Sequence, residues 1–247
     1  MTNTTATKTI VPVIVAGDPS LTSTTEQIIA LGDAGAKLVA ISVPFSDPVG
    51  DGPVIQTADV RALAAGTNLP GIFSAIEAAR TKTQVPIQLT IYANLAYKYG
   101  DEKFSKKCAS LGVTDVLVLD LPGQEDDPLP GALAAAGVNL VTVVTTNSLG
   151  HVAPIVAAAK NYIFVMPIPG SGPEATAAQL QQLVPEIRQH TDLPVIAEIG
   201  LPITPVPAPI LDQVDGVYLD TIFPAVAAEA GQDAPAKLQA AFKQLQG

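Results

Sequence analysis

Eight short runs rich in Val, Ile and Leu recur along the chain, most of them followed by a stretch with helical patterning. They fall at residues 11–15, 38–43, 87–91, 116–119, 140–144, 162–166, 195–199 and 217–219. Their apolar character is nearly continuous rather than alternating, the pattern of parallel strands covered on both faces. Helices are predicted at 22–34, 69–80, 101–111, 129–136, 149–159 and 174–189, in a Pro-rich segment near 205–213, and at 224–246. Gly35, Gly112 and Gly137 stand just past helical stretches, where a glycine in the left-handed conformation commonly ends a helix. Eight βα repeats predict an α/β fold, a single (β/α)8 TIM barrel over residues 1–247, rather than an open doubly wound sheet. No G-x-G-x-x-G follows the first run, and no linker or shift of composition divides the chain.

Composition narrows the classes of function. With 48% hydrophobic but only 4% aromatic residues, the core is expected to pack mainly through Ala, Val, Ile and Leu. A formal net charge of −10 argues against nucleic acid or an anionic membrane as partner, since both need clustered Lys and Arg. The single cysteine, Cys108, excludes an internal disulfide and a Cys-based zinc site, and is read as a small buried thiol in a helix. His151 and His190 lie in or near outer-layer helices, so no metal site is expected. The N-terminus has no signal-like apolar stretch and no run reaches membrane-spanning length, so the expectation is a cytoplasmic protein.

The chemistry-bearing segments all follow predicted strands. Ala16-Gly17-Asp18-Pro19 follows the first, and Val-Pro-Phe-Ser-Asp-Pro-Val-Gly-Asp-Gly-Pro-Val-Ile-Gln runs from residue 43 to 56 at the end of the second. Ile91-Tyr92-Ala93-Asn94 follows the third and Asp120-Leu121-Pro122 the fourth. The C-terminal ends of the strands are the face where barrels place their active sites. In this order and spacing the segments resemble the tryptophan synthase α subunit family, and the resemblance covers nearly the whole chain. It implies a lyase of tryptophan biosynthesis that needs no cofactor of its own. Such a lyase cleaves indole-3-glycerol phosphate by a retro-aldol step to indole and glyceraldehyde 3-phosphate. The family passes indole to a β subunit that uses pyridoxal phosphate, so a β subunit is the partner implied. The loops around strands two and three build that interface, and residues 44–53 are intact here.

Site residues carry over position by position. Asp51 matches the aspartate that engages the indole nitrogen, although Gly-Asp-Gly-Pro is also ordinary turn chemistry. Tyr92 and Asn94 match positions lining the pocket mouth, with packing or loop bracing an equal reading. Asp18, Asp47 and Asp120 read as loop-bracing groups. Gly170, Ser171, Gly172 and Gly200 match the loops whose backbone N–H groups hold the substrate phosphate.

Three positions depart from the family. Ala40 stands where the catalytic glutamate belongs, and an alanine cannot transfer a proton. Asp220-Thr221 replaces a Gly-Ser pair that opens a phosphate-binding helix; an aspartate there is expected to cap the helix with its own carboxylate. Glu198 replaces a glycine two residues before Gly200, and is read either as a polar plug hydrogen-bonded to loop amides or as a new acid. Three readings therefore stand: a relative whose lyase activity is lost or severely weakened, which ranks first and could persist as a non-catalytic partner-binding paralogue; an active α subunit; and a repurposed barrel enzyme pairing Asp51 with Glu198 on a non-phosphorylated small molecule.

Overall fold

In the computed structural model, residues 8–121, 127–168, 170–200 and 205–246 are described. Pro122 and Pro169, both part of the expected loop motifs, lie outside them. The elements run β1 (Thr9–Val15), α1 (Leu21–Asp33), β2 (Val39–Ser42), α2 (Pro53–Ala64), α3 (Leu69–Arg80), β3 (Ile87–Ile91), α4 (Ala93–Tyr99), α5 (Asp101–Ser110), β4 (Val113–Val118) and α6 (Pro128–Ala136). They continue β5 (Asn139–Leu140), β6 (Thr142–Thr145), α7 (Val152–Val156), β7 (Ile163–Met166), α8 (Pro173–Arg188), β8 (Val195–Glu198), α9 (Ala208–Leu211), β9 (Gly216–Leu219), α10 (Ile222–Ala230) and α11 (Ala234–Gln246).

The strands form one parallel sheet in the order β5-β4-β3-β2-β1-β9-β8-β7-β6. Its two ends, β5 and β6, are consecutive pieces of the fifth apolar run, separated only by Val141. The first piece pairs with β4 and the second with β7, so the run hands its ladder from one neighbour to the other and brings the barrel round. That transfer is why the single strand expected at 140–144 appears as two.

Other differences have local causes. The segment after residue 52, expected as loop, winds into α2 behind Pro53, whose missing N–H suits the first helical turn. Likewise α4 forms where no helix is predicted, and Gly100, at φ +92°, separates it from α5. The predicted last helix is two, divided at Gly231. Gly35, Gly112 and Gly137 all take positive φ, as expected of helix-ending glycines.

Side chains alternate along each strand between two environments. Outward residues such as Ile14, Ile41 and Leu89 pack against Ile28, Ile72 and Phe73 of the helical layer, in the larger apolar cluster. Inward residues such as Val13, Ala40, Leu117, Phe164 and Tyr218 form the second cluster, the barrel interior. That interior also holds polar groups, several of them paired with one another. The Tyr162 hydroxyl donates to Gln88 Oε1, Gln88 Nε2 donates to Thr90 Oγ1 at 3.0 Å, and Thr90 Oγ1 shares a hydrogen bond of 2.7 Å with the Tyr218 hydroxyl. Nearby, buried Asp115 accepts from Asn139 and Asn161 at 2.7 and 2.8 Å.

The β1–α1 turn is the tightest point of the mouth. Gly17 sits at φ +86°, and a Cβ there would overlap the Thr67 side chain. Replacing Gly17 with Ala is expected to cost about 2–5 kcal/mol of unfolding free energy, combining left-handed strain and overpacking. Urea denaturation measures this, and a cost below about 1 kcal/mol would show that the turn relaxes freely.

Candidate functional site

The loop following β2 is fixed from both sides. Phe45 stacks on Tyr92 with ring centroids 4.7 Å apart. The Tyr92 hydroxyl donates to Asp51 Oδ2 at 2.7 Å and accepts from the Gly50 N–H at 2.9 Å. Gln56 of α2 donates to the Asp51 carbonyl at 2.8 Å. Asp51 is thus a held carboxylate, not a free turn residue. Burial raises its pKa and the Tyr92 hydrogen bond draws it back.

The other loop aspartates brace. Asp18 forms a two-point ion pair with Arg61 of α2, at 2.9 and 2.6 Å. Asp120 accepts from the Ala93 N–H at the start of α4 at 2.7 Å, and Asp47 accepts from Ser46. Asn94 is exposed on α4, whereas Tyr92 is buried; neither lines the two cavities of the mouth described below.

Ala40 points into the barrel and is 0% exposed. Its register partners are Val13 on β1 and Gln88 on β3. The Gln88, Tyr162, Phe164 and Tyr218 side chains are buried in the same interior.

At the opposite wall Glu198 ends β8 and Asp220 follows β9. Both line the same space at the barrel mouth, and the Thr221 hydroxyl donates to Asp220 Oδ1 at 3.3 Å. Burial, then the Asp220 charge, then the Asp51 charge hold the Glu198 carboxyl well above the usual carboxylate range. Asp220 is also pushed up, chiefly by burial.

This geometry corrects one expectation. Asp220 does not cap α10: the residue preceding that helix is Thr221 and no side-chain cap bond is made, and the Asp220 carboxyl lies beside Gly200. Asp51, held by Tyr92, lines the deeper of the two cavities described below together with Glu198 and Asp220.

Two small cavities meet at the pair. One, of about 30 Å3, is bounded by Gly50, Gly52, Ser171, Gly200, Glu198 and Asp220. The other, of about 10 Å3, lies deeper, against Ser42, Asp51, Thr90, Tyr218 and the same two acids. Gly170 and Gly172 flank Ser171, whose hydroxyl accepts from Gln179 of α8 at 3.0 Å. Gln179 Oε1 also accepts the Ile168 N–H at 2.8 Å, strapping this loop to the helix. Among the described residues no group of three or more His, Cys, Asp or Glu could hold a metal ion. The one cysteine, Cys108, is buried in α5, and burial pushes its thiol up to about 12.

Sequence reasoning passed over Ser42, Gln88, Thr90 and Tyr218, yet a signal was present. In Ile-Gln-Leu-Thr-Ile, polar residues alternate within a strand that should be apolar on both faces. It also passed over Asp59. This α2 residue is 2% exposed, one carboxyl oxygen has no partner, and the Phe45 N–H bonds to its side chain. Burial and the neighbouring Asp51 charge push its pKa up to about 7.

Because the folded pKa of Asp59 is raised from 3.8, the folded state binds the extra proton between 3.8 and about 7. Its contribution to stability is complete below that range and lost as pH rises through it. Relative to the Asp59→Asn variant, the native chain is expected to lose about 2–3 kcal/mol between pH 5 and pH 8. Parallel urea titrations of the two proteins test this, and equal pH profiles would remove Asp59 as the cause.

The chain matches the Tryptophan synthase alpha chain family over residues 1–217. It is 37% identical to the tryptophan synthase alpha chain of Lacticaseibacillus casei, covering 96% of this chain and 90% of that one. It is 38% identical to that of Geobacter sp. (strain M21), covering 86% and 80%. Among solved structures, a mutant tryptophan synthase alpha-subunit from Pyrococcus furiosus superposes with a TM-score of 0.86 at 25% identity, covering 97% of this chain and 99% of that one.

Proposed function

The chain belongs to the tryptophan synthase alpha chain family, and we propose that it has kept this family's barrel and active-site loop while losing most of the capacity to cleave indole-3-glycerol phosphate. The observation that carries this reading is the fully buried methyl group of Ala40, facing the barrel interior. A retro-aldol cleavage needs a proton delivered to the indole ring and another removed from a side-chain hydroxyl. The resemblance assigns much of that work to a glutamate at position 40, and here a methyl group stands there, packed beside Gln88. Loss of a general acid/base removes about 10² to 10⁴ in rate.

The acid pair supports the same conclusion at the phosphate end. Glu198 and Asp220 border the cavity formed by Ser171 and Gly200, where a phosphate would meet backbone N–H groups. One unit negative charge repels another at 4 Å by about 4 kcal/mol at an effective dielectric of 20. The cavity has room for a group the size of a water molecule.

The family's partnership with a β subunit extends to this chain as part of the proposal. Val49 in the intact loop is 86% exposed and Tyr97 on the neighbouring α4 is 74% exposed. No described helix is long and apolar enough to cross a membrane.

Indole release from indole-3-glycerol phosphate is the direct assay. Turnover is expected at least about 10²-fold below that of the Lacticaseibacillus casei relative, and comparable turnover would overturn the reading. The Ala40→Glu variant is expected to remain inactive and to lose about 1–3 kcal/mol of stability through overpacking, plus the cost of a buried carboxyl. Substantial rescue by that single change would show that the interior and the acid pair do not matter as argued.

A further inference from the structure

We infer that a cavity in the helical layer, outside the barrel wall at β9, binds a small carboxylate with an apolar body. This site is independent of what the mouth binds.

The cavity originates in the length of one helix. In a closed barrel the outer face of every strand needs helical cover. Helix α9, which follows β8, has four residues and rises about 6 Å, whereas the four residues of β9 extend about 13 Å. The cover is incomplete. Val217 and Leu219, the outward side chains of β9, and Ile10 of the adjacent β1 face a space of about 430 Å3. Leu211 of α9 and Phe242 and Leu245 of α11 bound it on the helical side. That volume lies in the range of small-molecule sites, and the lining suits a hydrocarbon or aromatic body.

The charged groups select the head. Lys8 and Lys37 line the cavity, with no Asp or Glu among the described lining residues. This is a chain whose 23 acids outnumber its 13 Lys and Arg, so a wall with cations alone is a local reversal of charge. Lys8 donates to the Val214 carbonyl at 2.6 Å, which uses one of the three donors of its ammonium group. The acid on which Lys8 acts, Asp215, is engaged by Arg188 and by the Val195 N–H. Lys37 is exposed and makes no ion pair with a described residue. A larger cavity of about 850 Å3 lies between α8 and the segment containing α9, but Glu174 and Arg188 both line it, so it shows no such preference of sign. At the smaller cavity the body of an amphipathic anion is buried among the apolar side chains, and its carboxylate meets the two ammonium groups.

The test uses the full chain and sodium octanoate, titrated by isothermal calorimetry, with octylammonium chloride and sodium acetate as comparison titrants. Octanoate is expected to saturate one site. Octylammonium, with the same body and the opposite charge, should bind at least about tenfold more weakly, and acetate should show no saturable binding. Lys37→Gln removes one exposed charge and should weaken octanoate about tenfold. Leu211→Trp, at a partly exposed position, puts a larger ring into the space and should abolish binding. Thermal melts establish that both variants are folded; if Leu211→Trp is not, Lys37→Gln decides alone. Absence of saturable octanoate binding, equal binding of octylammonium, or unchanged octanoate affinity in either folded variant would overturn the proposal.

Discussion

Closing a parallel sheet into a barrel leaves its inner face no access to water, so whatever points inward must be apolar or fully hydrogen-bonded. Everything distinctive about this chain follows from how it meets that condition. Most inward positions are filled by Val, Leu, Ile and Phe. On the strands around Ala40 stand Gln88, Thr90, Tyr162 and Tyr218, and these four satisfy one another in a single chain of hydrogen bonds.

The mouth obeys the same condition with charge in place of volume. Three carboxyls converge there with no cation among the described lining residues. They remain compatible with folding because each has a distinct means of lowering its cost: Asp51 accepts a hydrogen bond from Tyr92, Asp220 accepts one from Thr221, and burial shifts Glu198 toward its neutral form. Asp59, behind the same loop, has only the Phe45 N–H and a shifted pKa to offset its burial. The acidity of the region is therefore tolerated locally, residue by residue, and it reshapes what kind of ligand could approach.

Much of the architecture was legible in the sequence because parallel strands buried on both faces leave unmistakable apolar runs; residues 87–91 and 69–80 have the expected bounds. The fifth run hid its division, since a transfer of pairing at Val141 changes hydrogen-bond partners without changing composition. Helix α2 escaped notice because the Gly-Asp-Gly-Pro turn drew attention to loop chemistry, while Ile55, Ala58 and Ala62 carried the helical spacing behind it. In the site, position 40 could be read from the resemblance alone. That Asp220 faces Glu198 instead of capping α10 could not, because it depends on which way one side chain turns at the end of β9. Ser42 and Gln88 were visible only as isolated polar letters until the closed barrel put them on the same inner face.

The buried chain from Tyr162 to Tyr218 has a consequence for how substitutions combine in this barrel. Its four members are interlocked, so the effect of changing any one depends on the other three. Removing one member singly leaves a buried polar group without its partner. Substitutions in this interior are therefore tolerated in sets rather than one at a time, whereas the loops at the mouth can change singly.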